Sequence, residues 1–184
     1  MSKDYPTKAP PASIAIFGAS GRMARHVVDY LRYKAPEIRL RLLASSEGSL
    51  DLLRSMYPDA EVMVGNYLDR STLDAALAGM EGVFVVTASG MDEKLGMDNF
   101  VDAAKKAGAA KHIIRLVGFA PESNPAKLPP RLLELGGDSD QHFTAKAILE
   151  ESGLPVTYVN LAASLMDNLL FTVGGLQRSH TLIR

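Results

Sequence analysis

The 184-residue chain contains no cysteine, which removes disulfides, thiol nucleophiles and thiolate metal sites at one stroke. It also lacks any excess of charge. Twenty Lys and Arg stand against 21 Asp and Glu, a net charge of −1 with a pI near 6.4. That balance gives no electrostatic ground for nucleic acid as a partner, and no basic cluster marks a membrane surface. No apolar run approaches the roughly 20 residues that span a bilayer. Met1 to Pro11 lacks the apolar core of a signal peptide, so the expected compartment is the cytoplasm. His26, His112 and His180 are scattered without ligand spacing, and no metal site is expected. Internal repeats and low-complexity tracts are also missing, which leaves a small molecule as the natural partner.

What is present is a large apolar fraction, 47% of the residues, enough to bury one substantial core and to predict a single domain. The first dozen residues, with Pro6, Pro10, Pro11, Lys3 and Lys8, read as a flexible tail over 1–12. From there on, strands and helices take turns. Short segments rich in Val, Ile and Leu predict strands at Ser13–Phe17, Arg39–Ala44, Ala60–Val64, Gly82–Val86, His112–Val117 and Pro155–Asn160. Their near-continuous apolar character is that of strands buried on both faces of a parallel sheet. Helical patterns lie between them at Arg22–Lys34, Ser49–Met56, Arg70–Ala78, Glu93–Ala107 and Ser139–Ser152, with glycine stops at Gly79, Gly108 and Gly153. Right-handed crossovers then require a doubly wound parallel sheet in a three-layer α/β/α arrangement, a Rossmann-type single domain over 13–184.

Two stretches break the regular plan. Phe119–Gly137, with Pro121, Pro125, Pro129 and Pro130, is long for a connector and reads equally as a binding loop or an irregular surface loop. An apolar helical pattern follows at Ala163–Leu176, and the chain ends at Thr181-Leu182-Ile183-Arg184 without closing an evident unit. The expectation is a chain truncated at its C-terminus, with an incomplete substrate-side region around 119–137 and 163–184.

The most informative segment is the junction of the first strand and first helix. Ile14-Ala15-Ile16-Phe17 breaks through Gly18-Ala19-Ser20-Gly21 into Arg22-Met23-Ala24 and an amphipathic helix. Gly18 permits a sharp turn, Gly21 permits close approach of a pyrophosphate, and the small Ala24 lets the helix pack tightly on its strand. Phosphates then lie at a helix N-terminus, where N–H groups and the macrodipole favour negative charge. Strand, turn and helix in this order, within a continuing alternation, predict a dinucleotide site.

Three further segments support a family comparison: Gly65-Asn66-Tyr67-Leu68-Asp69, Ser152-Gly153-Leu154-Pro155-Val156-Thr157, and Met166-Asp167-Asn168. Together with the glycine turn, across residues 13 to 170, they resemble the NmrA-like branch of the atypical short-chain dehydrogenases/reductases. The resemblance implies a Rossmann fold binding NAD or NADP. It spans quinone and imine reductases as well as redox-sensing regulators without catalytic activity.

Candidate cofactor contacts follow. Gly18, Ser20, Gly21, Arg22 and Met23 form the phosphate turn. Asp69 matches a family position near the adenine and also suits the N-cap of the helix that follows. Thr87 and Ala88 follow the fourth strand, where the family's chain passes the nicotinamide ribose. At the end of the second strand, Leu43-Ala44-Ser45-Ser46 offers no carboxylate to bind a ribose 2′-hydroxyl. Ser45 and Ser46 can instead donate to a 2′-phosphate, with Arg22 supplying positive charge. The reading favours NADP; the family's usual arginine is missing at this strand end, which keeps NAD open.

Where ordinary short-chain dehydrogenases carry Tyr-x-x-x-Lys, this chain reads His142-Phe143-Thr144-Ala145-Lys146. Residues four apart share one helix face. The resemblance implies that Lys146 binds the nicotinamide ribose; its charge disfavours protonation of His142, leaving an imidazole that donates from one nitrogen and accepts at the other, and a histidine can act as general acid near neutral pH. The usual catalytic serine has no counterpart in Leu116-Val117-Gly118-Phe119-Ala120. Hydride transfer needs little beyond placement of an acceptor. The expectation is therefore an NAD(P)H-dependent reductase of a planar or unsaturated molecule of the quinone, imine or enone class, with apolar lining from Met91, Phe119 and Phe143. The alternative is a non-catalytic NAD(P)-sensing module that binds a regulatory protein partner. A homodimer is compatible with either reading.

Overall fold

A computed structural model describes residues 9–117 and 138–161. Six strands form one sheet: β1 Ser13–Phe17, β2 Arg39–Ala44, β3 Glu61–Val64, β4 Gly82–Val85, β5 His112–Val117 and β6 Val156–Asn160. Among the described residues five α-helices connect them: α1 Arg22–Lys34, α2 Leu50–Met56, α3 Arg70–Leu77, α4 Glu93–Ala107 and α5 Asp138–Glu151. The strand order is β3-β2-β1-β4-β5-β6, parallel throughout. The order reverses between β1 and β4, and this switch point opens a crevice at the carboxyl ends of the strands.

Successive residues of a strand point to opposite faces, and the core divides accordingly. Ala15, Phe17, Leu43, Val83, Val85 and Ile113 pack with α3, α4 and α5, whereas Ile16, Leu42, Ala44 and Phe84 pack with α1 and α2. This is the three-layer Rossmann arrangement expected from the alternation. Gly79, Gly108 and Gly153 all adopt positive φ, and Gly108 at φ 63° is the left-handed cap of α4.

The boundaries differ by a residue at several ends. β3 and β6 begin one residue later than predicted and β4 ends one earlier, while a 3-10 turn at Glu47–Ser49 precedes α2. One larger difference concerns burial. β1, β2 and β4 are buried almost throughout, but β6 is an edge strand whose Val159 is 42% exposed, and Ile114 of β5 is 40% exposed. Among the described residues, the helices that pack on β5 and β6 lie on one side, so those two strands are covered on one face only. The predicted loop at 119–137 and helix at 163–176 fall outside the described residues.

Candidate functional site

The turn after β1 closes on itself through Gly21 N–H donating to the Gly18 carbonyl at 2.8 Å. Gly18 has φ +61°, and a Cβ added there would meet Val86 Cγ1 at 3.3 Å. At Gly21 an added Cβ would stand 3.0 Å from the Gly18 carbonyl oxygen, which belongs to backbone and has little room to yield. Gly21 is the N-cap of α1 and brings no side-chain cap, and the first turn carries no acidic residue. That combination leaves the helix start electrostatically suited to an anion. Ala24 is fully buried against the sheet.

Beside this turn lies a groove of about 290 Å³ at the switch point, lined by Gly18, Ser20, Gly21, Ser45, Asn66 and Ala88 among others. Phe17, Tyr67 and Met91 line it as well. Five of the sequence-predicted cofactor residues therefore come together there. The others are placed around it. Arg22 is exposed at the start of α1, and Met23 beside it is half-buried. Ser46 is the exposed N-cap residue of the 3-10 turn and makes no side-chain cap there. Asp69 is engaged as the N-cap of α3, accepting from Ser71 N–H at 3.0 Å and Ser71 Oγ at 2.6 Å. Phe143 is buried in α5, and Phe119 lies outside the described residues.

Thr87 joins a cluster that sequence reasoning did not reveal. Arg115 of β5 is 0% exposed and Glu93, the first residue of α4, is 3% exposed. Arg115 Nη2 donates to Glu93 Oε1 at 2.8 Å, to Glu93 Oε2 at 3.0 Å and to Thr87 Oγ1 at 2.9 Å. The Thr87 hydroxyl in turn donates to Glu93 Oε1. Placing the Glu93 carboxylate at the first turn of α4 adds the favourable end of that helix dipole. Asp92 caps the same helix through Leu95 N–H at 3.0 Å. The missed signal was a single arginine inside the apolar run Ile113-Ile114-Arg115-Leu116-Val117, a charge that is buried only with a partner.

The α5 pair lies next to this cluster. His142 Nδ1 is 3.5 Å from Arg115 Nη2 and 3.8 Å from Glu93 Oε1, with the imidazole 22% exposed. One turn on, Lys146 Nζ sits over the Tyr158 ring at 5.4 Å and 3.8 Å from Glu150 Oε1. Tyr67, between groove and cluster, has its phenol pushed well above the usual range by burial; Arg115 lowers it and Glu93 raises it by smaller amounts. Its hydroxyl donates to the Val86 carbonyl at 3.4 Å. Among the described residues, no group of three or more His, Asp or Glu side chains is arranged to hold a metal ion.

The family model described as NAD(P)H-binding matches residues 18–169, from the first glycine of the turn to beyond β6. The chain belongs to that NAD(P)H-binding family. A relative in Streptomyces griseus, (4-alkanoyl-5-oxo-2,5-dihydrofuran-3-yl)methyl phosphate reductase, is 29% identical over 93% of this chain and 54% of its own length. The NADPH-dependent quinone oxidoreductase of Escherichia coli, solved with NADPH, superimposes with a TM-score of 0.70 at 22% identity, over 89% of this chain and 54% of the other. NmrA, a negative transcriptional regulator, gives a TM-score of 0.61 at 23% identity, over 80% of this chain and 44% of the other. The fold is thus NmrA-like, and the chain spans about half the length of the relatives it matches. A nicotinamide dinucleotide suits the residues present, since the start of α1 has no side-chain cap and no acidic residue in its first turn, and Gly18, Ser20 and Gly21 line the groove. Among the described residues, no helix is long and apolar enough to cross a membrane.

Proposed function

We propose that this NAD(P)H-binding protein holds NADP(H) in the switch-point groove and reduces a small planar or unsaturated molecule of the quinone, imine or enone class. The observation that carries this reading is the adjacency of the glycine-lined groove to the Thr87–Glu93–Arg115–His142 cluster, through Tyr67 and the Val86–Ala88 segment. Bound nicotinamide supplies the hydride. The chain's own residues supply placement: the Gly18–Gly21 turn and the start of α1 receive the phosphates, and Ser45 with Arg22 favours a 2′-phosphate. Lys146 binds the ribose next to the nicotinamide, and His142 is the proton donor to the reduced acceptor. Reductase and quinone oxidoreductase names among the relatives support the reaction class.

Calorimetric titration with NADP and NAD side by side, followed by NADPH oxidation across a quinone, imine and enone panel, tests it. Binding with NADP preferred and turnover of at least one class are expected. Gly21→Val abolishes binding on this reading, because the new side chain presses on the Gly18 carbonyl and forces the phosphate turn out of shape. Binding without turnover on any of the three classes would overturn the reductase reading. It would favour the second one, a dinucleotide-sensing module, which the missing serine and tyrosine and the NmrA-like fold support. A sensing role requires that recovery of a protein partner change with NADP or NADPH.

A further inference from the structure

Gly96 lies inside α4, where glycine is a poor choice. A helix interior loses stability when glycine replaces alanine, and Gly96, unlike Gly90 at φ +79°, has no positive φ that would call for it. What the position requires is space. A Cβ added to Gly96 would stand 2.7 Å from Met91 Cε, 3.5 Å from Met91 Sδ and 3.2 Å from Tyr67 Cβ. Carbon atoms rest at about 3.5–4.0 Å from one another, so the Met91 methyl fills the room of a side chain at 96 and would have to retreat from one by about 1 Å.

The backbone around this pair is tied down. Met91 N–H donates to the Ala88 carbonyl at 3.2 Å, Gly96 N–H donates to the Asp92 carbonyl at 2.9 Å, and Asn99 Nδ2 donates to the Tyr67 carbonyl at 2.9 Å. The soft part is the thioether, which is unbranched and turns about several bonds. Met91 lines the switch-point groove and Gly96 does not, so the methionine stands between the groove and α4. A methyl driven off position 96 therefore moves to the groove side.

We infer that Gly96 is a specificity-determining residue of the groove: it seats the Met91 methyl against α4, and that seat sets the width left for the ligand. Seated there, the thioether offers a soft apolar wall to a flat aromatic ring, the chemistry of either base of a dinucleotide. The inference rests on the reading of the groove as the dinucleotide site.

The test has two readouts. In methyl-labelled methionine protein without cofactor, with the Met91 signal assigned by its loss in Met91→Ala, a nuclear Overhauser contact from the Met91 methyl to the Gly96 α-protons is expected. Its absence from the wild type overturns the inference without any substitution. The second readout is calorimetric titration with NADPH across Gly96→Ala, Met91→Ala and the double variant. Gly96→Ala is expected to weaken NADPH at least about tenfold when Met91 is present and less than about threefold when it is Ala, the mark of two coupled positions. Its Tm is unchanged or raised, which separates a narrowed groove from a damaged fold. Equal losses in the two backgrounds, or no loss in either, overturn the inference. If the wild type binds no NADPH, the dinucleotide reading and the effect on affinity fall together, and the Overhauser contact alone then decides whether Gly96 seats Met91.

Discussion

Phe17 and Tyr67 stack ring on ring, with centroids 4.4 Å apart and planes inclined by 21°. Phe100 of α4 meets both edge-on, at 6.0 and 6.2 Å. The pair joins the end of β1 to the segment after β3, and both rings line the groove beside the switch point. Offset and edge-on contacts of this kind add about 0.5–1.5 kcal/mol each beyond the area they bury. Two of the residues that line the groove are thus held in place by core packing.

The same burial sets an alkaline limit to stability. Tyr67 is held protonated well above its usual range by burial, while Tyr57 and Tyr158 are pushed from 10.0 up to about 12, Tyr57 by burial and by its hydrogen bond to Asp29. Each raised value means that the unfolded chain releases its phenolic proton first. The stability involved is fully present below pH 10 and is lost as pH rises through about 12. Thermal melts between pH 8 and 12 are expected to show a falling Tm above pH 10. Phenolate absorbance from these three residues should appear together with unfolding, not ahead of it.

Asp69 is the only acid of the Gly65–Asp69 segment, and its carboxylate is engaged at the start of α3. Asp69→Ala is expected to cost about 1 kcal/mol, the usual loss for an N-cap, which lowers Tm by roughly 2–4 °C in a chain of this size. Asp69→Asn retains most of the cap. Differential scanning calorimetry of the two variants checks the ranking.

Much of this architecture was legible because periodicity and glycine placement are local. Strands β1, β2 and β5 and helices α1 and α4 begin and end where apolar runs, Gly21 and Gly108 place them. The glycine turn was legible for the same reason, since Gly18, Gly21 and Ala24 act within one junction. The buried cluster was not. Arg115 lies 28 residues from Thr87, 22 from Glu93 and 27 from His142, and no spacing rule links residues that only parallel strand pairing brings together. Asn66 and Tyr67 escaped attention as groove residues because Asp69 drew the functional reading. The exposed faces of Ile114 and Val159 were hidden because an apolar strand looks the same whether one face or both are covered.

On the proposed reading cofactor choice is set at the end of β2, where Ser45 lines the groove and no carboxylate stands. Ser45→Asp introduces one where a 2′-phosphate would lie and offers an acceptor to a 2′-hydroxyl. NADP affinity is expected to fall at least about tenfold, which corresponds to roughly 1.4 kcal/mol, with NAD affinity unchanged or improved. Parallel calorimetric titrations read both. Equal loss for the two cofactors would place Ser45 away from the 2′ position.

His142 and Lys146 share one face of α5 but are assigned different work, and kinetics can separate them. Loss of a general acid costs typically about 10²–10⁴-fold in the chemical step. His142→Ala is therefore expected to lower kcat by at least about a hundredfold while leaving the dissociation constant of NADPH unaltered, because Arg115 and Glu93, which it approaches, do not line the groove. Lys146→Ala should act the other way first, weakening NADPH binding through the lost ribose contact before any effect on kcat. A variant pair that lost affinity and turnover in parallel would mean that the two side chains serve packing on Tyr158 and the Arg115 cluster, not successive steps of one reduction.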